Sequence, residues 1–305
     1  VTLHAALDLT LRLPDIRVDE AQSCDESSLV SSGKGWNVSR ALRALGTPSH
    51  AIVAVAEEQS ALFAQEADDT LRLILVDPGH MIRINVTLRL DSGVSHIRTR
   101  SSPVPPGFLA SVEAAIRPVL APGSTVAFSG SFPPGVEPVG AQIMWRRLLD
   151  SGHPVLVDSS GPGLAAAVAT GVSLVKPNHL ELQQLVNRRL ESLEDFAAAS
   201  GEICAMGVGT VLLSMGARGG MASSVAEGTW YVEAPREVDL VNDVGAGDAF
   251  LAGYIAAAGG GATSGDRLRH AVAAGSASLE LAAPASLLAD RAEGLCSALT
   301  AVRLS

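Results

Sequence analysis

Two periods of apolar and polar residues run along this chain, and the change between them divides it. Val1 to Leu9 is apolar and extended. "LRLPDIRVDE" continues with alternating positions around one proline, which predicts an exposed strand. "WNVSRALRALG" carries an apolar stripe at helical spacing that stops at Gly46, a C-cap position. "HAIVAVA" reads as a short buried strand. "MIRINVTLRL" and "SHIRTRSS", split by "DSG", predict a hairpin whose half-polar pattern leaves one face for solvent or ligand. From Gly107 the rhythm becomes regular. Helices near 107–120, 138–151, 162–169, 178–186 and 192–206 alternate with strands in "STVAFSG", "PVLVDSS", "VSLVKPN" and "TVLLSMG". Such alternation predicts a mostly parallel sheet covered on both faces. "GGMASSV" and "GTWYVEA" predict an antiparallel edge pair, and the residues from about 246 onward read as Ala-rich helix.

No repeat or linker divides the chain, so one α/β domain over residues 1–305 is expected. The half-polar segments near 10–32 and 83–100 are the candidates for a small β-sheet lid over the main sheet. Hydrophobic residues make up 47%, enough for a sizeable core, but aromatics only 4%, so Ala, Val and Leu must build it. The net charge of −10 argues against a dedicated nucleic-acid or anionic-membrane surface. It leaves room for a phosphorylated small ligand, which a few local cations and N–H groups can hold. No apolar run approaches the roughly 18 residues of a spanning helix. The three cysteines form no metal or CxxC spacing, and reduced thiols in a cytoplasmic protein are expected.

The candidate chemistry starts at "VNDVGAGDAF". Gly245, Ala246 and Gly247 leave a bare turn before a helix, whose unpaired N–H groups and dipole suit a phosphoryl group. Asp248 then reads either as a base or as an ordinary helix-start acid, and the motif alone leaves both open. "VKPNHLEL" places Asn178 and Glu181 three apart, on one face of a helix start. They could order magnesium-bound waters, or they could form a capping box. "SGSFPPGV" puts hydroxyls, Ser131 among them, at the carboxyl end of a strand, where α/β sheets bind ligands. "SSGKGWNVSRAL" is a second Gly-bearing turn before a helix, with Lys34. It is not a Walker A loop.

Taken in order, these segments resemble the ribokinase-like (PfkB) carbohydrate kinases along nearly the full length. The GGKGxNVAR pattern appears as Ser32 to Arg40, the GSLPPG loop as Gly130 to Gly135 and KPNxxEL as Lys176 to Leu182. A SLGxxGA stretch appears as "SMGARGG" from Ser214 to Gly220, and the GAGD signature as Asp243 to Gly253. "VTLHAALDLT" and "IRINVTL" are most similar to the sugar-phosphate branch, which holds 1-phosphofructokinase, tagatose-6-phosphate kinase and the minor 6-phosphofructokinase. The resemblance implies a three-layer α/β/α fold with a β lid. It also implies an ATP- and magnesium-dependent kinase acting on a hydroxyl of a phosphorylated ketohexose, often dimeric through the lid. By position, Asp248 would be the base, with Gly245, Ala246 and Gly247 as anion hole. Asp8, Gly33, Lys34, Asn37, Arg83 and Ser131 would hold the sugar phosphate. Lys176, Asn178, Ser214, Gly216 and Gly219 would lie along the nucleotide, and Asn178 and Glu181 would order the metal.

The chain departs from that pattern at several points. Asp243 stands where a Ser or Thr is usual, His4-Ala5 replace Asn-Pro, and Ser32 replaces a Gly. Residues 56–67 lack the glycines usual after the second strand. Two other readings therefore stand beside the first: a kinase of an unphosphorylated sugar or nucleoside, and a non-catalytic binding protein on the same fold. Lys34 and Arg83 discriminate, because two cations near the sugar suggest a second phosphate; their bland role is surface charge pairing.

Overall fold

The structure is a computed structural model that describes residues 1–258 and 261–304. Its strands are β1 (Ala6–Arg12), β2 (Glu26–Ser32), β3 (Ser49–Ala54), β4 (Leu71–Val76), β5 (Arg83–Leu90), β6 (Gly93–Arg98), β7 (Val126–Ser129), β8 (Val155–Asp158), β9 (Leu174–Val175), β10 (Thr210–Ser214), β11 (Gly220–Ser224), β12 (Gly228–Val232) and β13 (Ala301–Arg303). Its α-helices are α1 (Lys34–Ala44), α2 (Ala61–Ala64), α3 (Phe108–Ile116), α4 (Pro138–Asp150), α5 (Pro162–Thr170), α6 (His179–Val186), α7 (Leu193–Ala205), α8 (Ala246–Ala256), α9 (Ser264–Ser278) and α10 (Ala289–Ala298).

The main sheet runs in the order β13-β12-β11-β10-β9-β8-β7, parallel from β7 to β10 and antiparallel from β10 outward. Residues 1 and 2 extend it. The Val1 nitrogen donates to the Ala127 carbonyl, Ser129 N–H donates to Val1, and Thr2 N–H donates to Ile52. The parallel pair β3-β4 is thereby stitched to β7.

Side chains alternate between two cores, which explains the near-continuous apolar runs of the parallel strands. Val155 and Val157 of β8, and Val211 and Leu213 of β10, pack with α3, α4, α5 and α7 residues such as Phe108, Trp145, Leu164 and Phe196. Leu156 and Leu212 face the other way, onto Val38 of α1, Phe250 of α8 and Val272 of α9. The result is three layers, α/β/α. Truncating one of these fully buried leucines to Ala would cost ~2–5 kcal/mol.

A separate four-stranded sheet, β2-β1-β5-β6, stands apart. Its register places Leu29, Leu9, Val86 and Ile97 opposite one another, on one face. Leu29 is 44% and Ile97 50% exposed. Asp8, Arg83, Asn85 and Arg98 lie on the opposite face by the same alternation. The root of this sheet packs on Trp36 and Phe63, which meet edge to face at 5.2 Å.

Two expectations need correction, and one strand stands where none was expected. The strand expected through "LRLPDIRVDE" stops at Arg12; Pro14 has no N–H to continue a ladder, and residues 13–25 form a loop. β4 was not anticipated; its run "LRLILV" follows an acidic stretch. β13 was not anticipated either: the chain after Ala246 does not end in helix but returns a short strand to the sheet edge.

Candidate functional site

The carboxyl ends of the central strands converge on one place. Asp158 is the last residue of β8, Lys176 follows β9, Ser214 ends β10, and Ser131 lies just beyond β7. Ligands bind at this edge of α/β sheets because the helices that follow present their N-termini there.

Asp248 sits in the first turn of α8, opposite these strand ends, and is buried. Asn37, from the buried face of α1, donates from Nδ2 to its Oδ2 at 2.8 Å. Burial, together with the negative charge of Asp158, pushes the Asp248 carboxyl up to about 7. The Asn37 hydrogen bond and the charges of Lys34 and Lys176 oppose that rise. A carboxyl held near neutrality suits a general base.

Gly245 caps α8 in a left-handed conformation, φ 86°. A Cβ there would also meet the Ala285 nitrogen at 2.5 Å, so the turn excludes any side chain. The N–H groups of Gly245 and Gly247 have no acceptor among the described residues, while Ala246 N–H makes a 3.3 Å bond back to the Asp243 carbonyl. Two of the three expected donors are thus open, and the third is loosely engaged. Lys176 Nζ lies beside this turn, 3.5 Å from where a Gly247 Cβ would be.

The sequence reading missed Asp158. It is fully buried, and Lys34 Nζ and Lys176 Nζ both lie 3.3 Å from its Oδ1. Its Oδ2 is buried without a partner. The one sequence signal was an acid ending the apolar strand "PVLVD", at the edge where ligands bind. Lys34, expected on the sugar phosphate, therefore stands between a buried acid and solvent. Burial pushes its pKa down, but Asp158, Asp248 and Glu181 outweigh that and raise it. Its bland reading as a surface pair partner does not describe a lysine bound to a buried carboxylate.

Asn178 and Glu181 form a capping box on α6. Asn178 Oδ1 accepts from the N–H groups of Leu180 and Glu181, and Glu181 Oε2 accepts from Asn178 N–H at 2.8 Å. Asn178 Oδ1 is spent on the cap, whereas Glu181 keeps Oε1. A divalent cation with several waters asks for one or two carboxylates. Glu181 Oε1 and the orphaned Asp158 Oδ2 are oxygen donors of that kind, so the residues present fit such an ion.

The remaining expected residues fall on two sides. Asp8 accepts from Asn85 Nδ2 at 2.7 Å. Arg83 is half-buried, with an Nε that has no partner. Gly33 caps α1 at φ 139°, against Thr2 and Ala5. Ser131 meets His4, and its loop is tied to β8 by Gly130 N–H donating to the Asp158 carbonyl at 2.8 Å. On the other side, Ser214 bridges Asn178, and Gly216 and Gly219 bound the turn after β10. Asp243 is exposed, and its carboxylate has no partner among the described residues. The Gly-poor segment is rebuilt around Gln59, which accepts from Ile82 N–H at 2.5 Å and so anchors the residue before Arg83.

This strand edge gathers a buried carboxyl, open N–H groups and two lysine cations, the kinds of group that phosphoryl transfer uses. The layers and the small sheet are those of ribokinase-like kinases. The chain belongs to the pfkB family of carbohydrate kinases, whose pattern matches residues 4–289, and it is a sugar kinase. It is 33% identical over 266 residues to the 1-phosphofructokinase of Rhodobacter capsulatus, covering 85% of this chain and 82% of that one. Against the 1-phosphofructokinase of Haemophilus influenzae the identity is 32% over 260 residues, covering 84% and 82%. Among solved structures, phosphofructokinase-2 from Escherichia coli in complex with substrates and products matches with a TM-score of 0.86. That match has 28% identity and covers 97% of each chain.

Proposed function

We propose that this chain transfers the terminal phosphoryl group of ATP to a hydroxyl of a phosphorylated ketohexose. The candidates are fructose 1-phosphate, tagatose 6-phosphate and fructose 6-phosphate, and the names of the curated relatives put fructose 1-phosphate first. The observation that carries this is the buried Asp248, held by Asn37 at the open end of α8 and faced by Lys34 and Lys176.

In this reading Asp248 takes the proton of the attacking hydroxyl. The N–H groups of Gly245 and Gly247, with Ala246 beside them, stabilise charge on the phosphoryl oxygens as it moves. Lys176 reaches the same place from the strand side. Asp8, Arg83, Asn37, Lys34, Gly33 and Ser131 position the acceptor, and Arg83 with Lys34 favours one that carries its own phosphate. Ser214, Gly216 and Gly219 border the nucleotide, next to Asn178. Asp158 and Glu181 would hold magnesium, which supplies neutralising charge to the phosphates when bound.

We also infer a homodimer that pairs the apolar faces of the two small sheets, each acting as a lid, in a cytoplasmic enzyme. Asp248→Asn tests the chemistry. It should lower kcat by about a thousandfold while leaving acceptor affinity nearly unchanged. An unchanged kcat would remove Asp248 from the role of base.

A further inference from the structure

His4 lies where the chain leaves the main sheet for β1. Its two ring nitrogens each meet a hydroxyl: Nδ1 is 3.1 Å from Ser131 Oγ and Nε2 is 2.7 Å from Ser101 Oγ. Ser101 belongs to the segment that returns from β6 to the main body. One imidazole thus ties together the way into the small sheet, the way out of it, and the loop after β7.

A neutral imidazole has one donor and one acceptor nitrogen, so its two hydroxyl partners must be used in opposite senses. If Nε2 carries the proton, it donates to Ser101. Ser131 must then donate its own proton to Nδ1, and its oxygen offers only lone pairs to a ligand. If Nδ1 carries the proton, Ser101 donates into Nε2 and Nδ1 donates to Ser131 Oγ. Ser131 then keeps its proton for a ligand. The distances are compatible with the second arrangement: 2.7 Å suits a hydroxyl donating into Nε2 and 3.1 Å an N–H donating from Nδ1. The setting keeps the ring neutral, as either arrangement requires. Burial, with the charges of Arg83 and His80 added, holds the His4 pKa down at about 4, so the ring stays neutral. The same Arg83 makes an anion the natural occupant beside Ser131.

We propose that His4 is a positioning residue of the acceptor site: with Ser101 bound at Nε2, it donates from Nδ1 to Ser131 and so leaves the Ser131 hydroxyl proton for an anionic oxygen of the acceptor. This rests on the reading of Ser131 as an acceptor-site residue. Ser101 touches the acceptor only through this relay, so it sets specificity from a distance.

Long-range proton–nitrogen NMR of the histidine rings tests the tautomer without turnover, with His4→Asn supplying the assignment. The expected result is an Nδ1–H ring that does not titrate between about pH 6 and 8. An Nε2–H ring, or one titrating near 6.5, would overturn the proposal. Kinetics test the relay, using whichever acceptor the wild-type enzyme phosphorylates. Ser101→Ala should raise the acceptor KM about five- to tenfold, with the ATP KM and kcat within about twofold. His4→Asn keeps a donor for Ser131 but is too short to hold Ser101 as well. Ser101 is then cut out of the relay, so adding Ser101→Ala to His4→Asn should have no further effect on the acceptor KM. An unchanged KM in Ser101→Ala, or the same increase in both backgrounds, would also overturn it. The wild-type acceptor panel reports separately on the substrate class, so the two readings fail in distinguishable ways.

Discussion

Asn37 and Asp248 are 211 residues apart in the chain, and the amide Nδ2 of the first donates to the carboxylate Oδ2 of the second at 2.8 Å. The bond holds a buried carboxylate, and in the proposed reading it leaves Oδ1 for the acceptor hydroxyl. It also stabilises the charged form, against burial and Asp158, which favour the neutral one. Asn37→Ala should therefore lower kcat by roughly 10–100-fold and move the acid limb of kcat/KM to higher pH. A pH–rate profile checks this, and an acid limb that stays put would show that the bond does not tune the base.

Asp158 acts on the same group with the opposite sign. Its negative charge raises the Asp248 pKa, and it occupies both lysines. Asp158→Asn should move the acid limb to lower pH, since Asp248 loses a like charge while Lys34 and Lys176 are released toward it. The same variant should raise the magnesium concentration needed for half-maximal rate, because an acidic oxygen is lost.

Stability should carry the signature of Asp248 as well. Its folded pKa, about 7, lies above the unfolded value of 3.8. The resulting stabilisation is fully present below the unfolded value and is lost as pH rises through about 7. Asp248→Asn removes that loss. The variant should melt higher than wild type at pH 8, and the gap should close near about pH 4. Thermal melts at both pH values measure it. A lower melting temperature at pH 8 would contradict the burial argument.

The capping box at α6 separates structure from metal. Gln can replace Glu in such a box, so Glu181→Gln should keep the melting temperature and still weaken the magnesium response. Asn178→Ala should cost about 1 kcal/mol of stability through the lost cap. Calorimetry with a magnesium titration distinguishes them. Identical magnesium curves for Glu181→Gln and wild type would take Glu181 out of the metal site.

The apolar row Leu29, Leu9, Val86 and Ile97, partly buried in the middle and exposed at both ends, predicts the assembly. Ile97→Lys puts a charge on the edge-strand end of this row, inside the contact if two small sheets meet face to face. Sedimentation should show a dimer for wild type and a monomer for the variant, and an unchanged distribution would place any interface elsewhere.

Much of this was readable in the chain because it is local. The α1 and α8 starts announce themselves by glycine and an apolar stripe, and the central strands by runs that two cores require. The capping box at Asn178 and Glu181 is a three-residue pattern, and it appears where the pattern stands. β13 was not readable, since three residues carry no period. Asp158 was not readable either: what makes it part of the site is Lys34, 124 residues away, reaching the same carboxylate as Lys176. His4, Ser101 and Ser131 meet for the same reason, through sheet topology rather than spacing. Only folding brings such groups together, so spacing could show the parts of this site but not its wiring.

The central claim is that Asp248 serves a phosphorylated sugar. The most direct measurement is ADP release with magnesium and ATP across fructose 1-phosphate, tagatose 6-phosphate and fructose 6-phosphate, alongside unphosphorylated sugars and nucleosides. The account predicts turnover of at least one phosphosugar, with kcat/KM at least about a hundredfold above any unphosphorylated acceptor, as expected when two cations hold a second phosphate. Turnover confined to unphosphorylated acceptors, or tight phosphosugar binding with no ADP released, would contradict it.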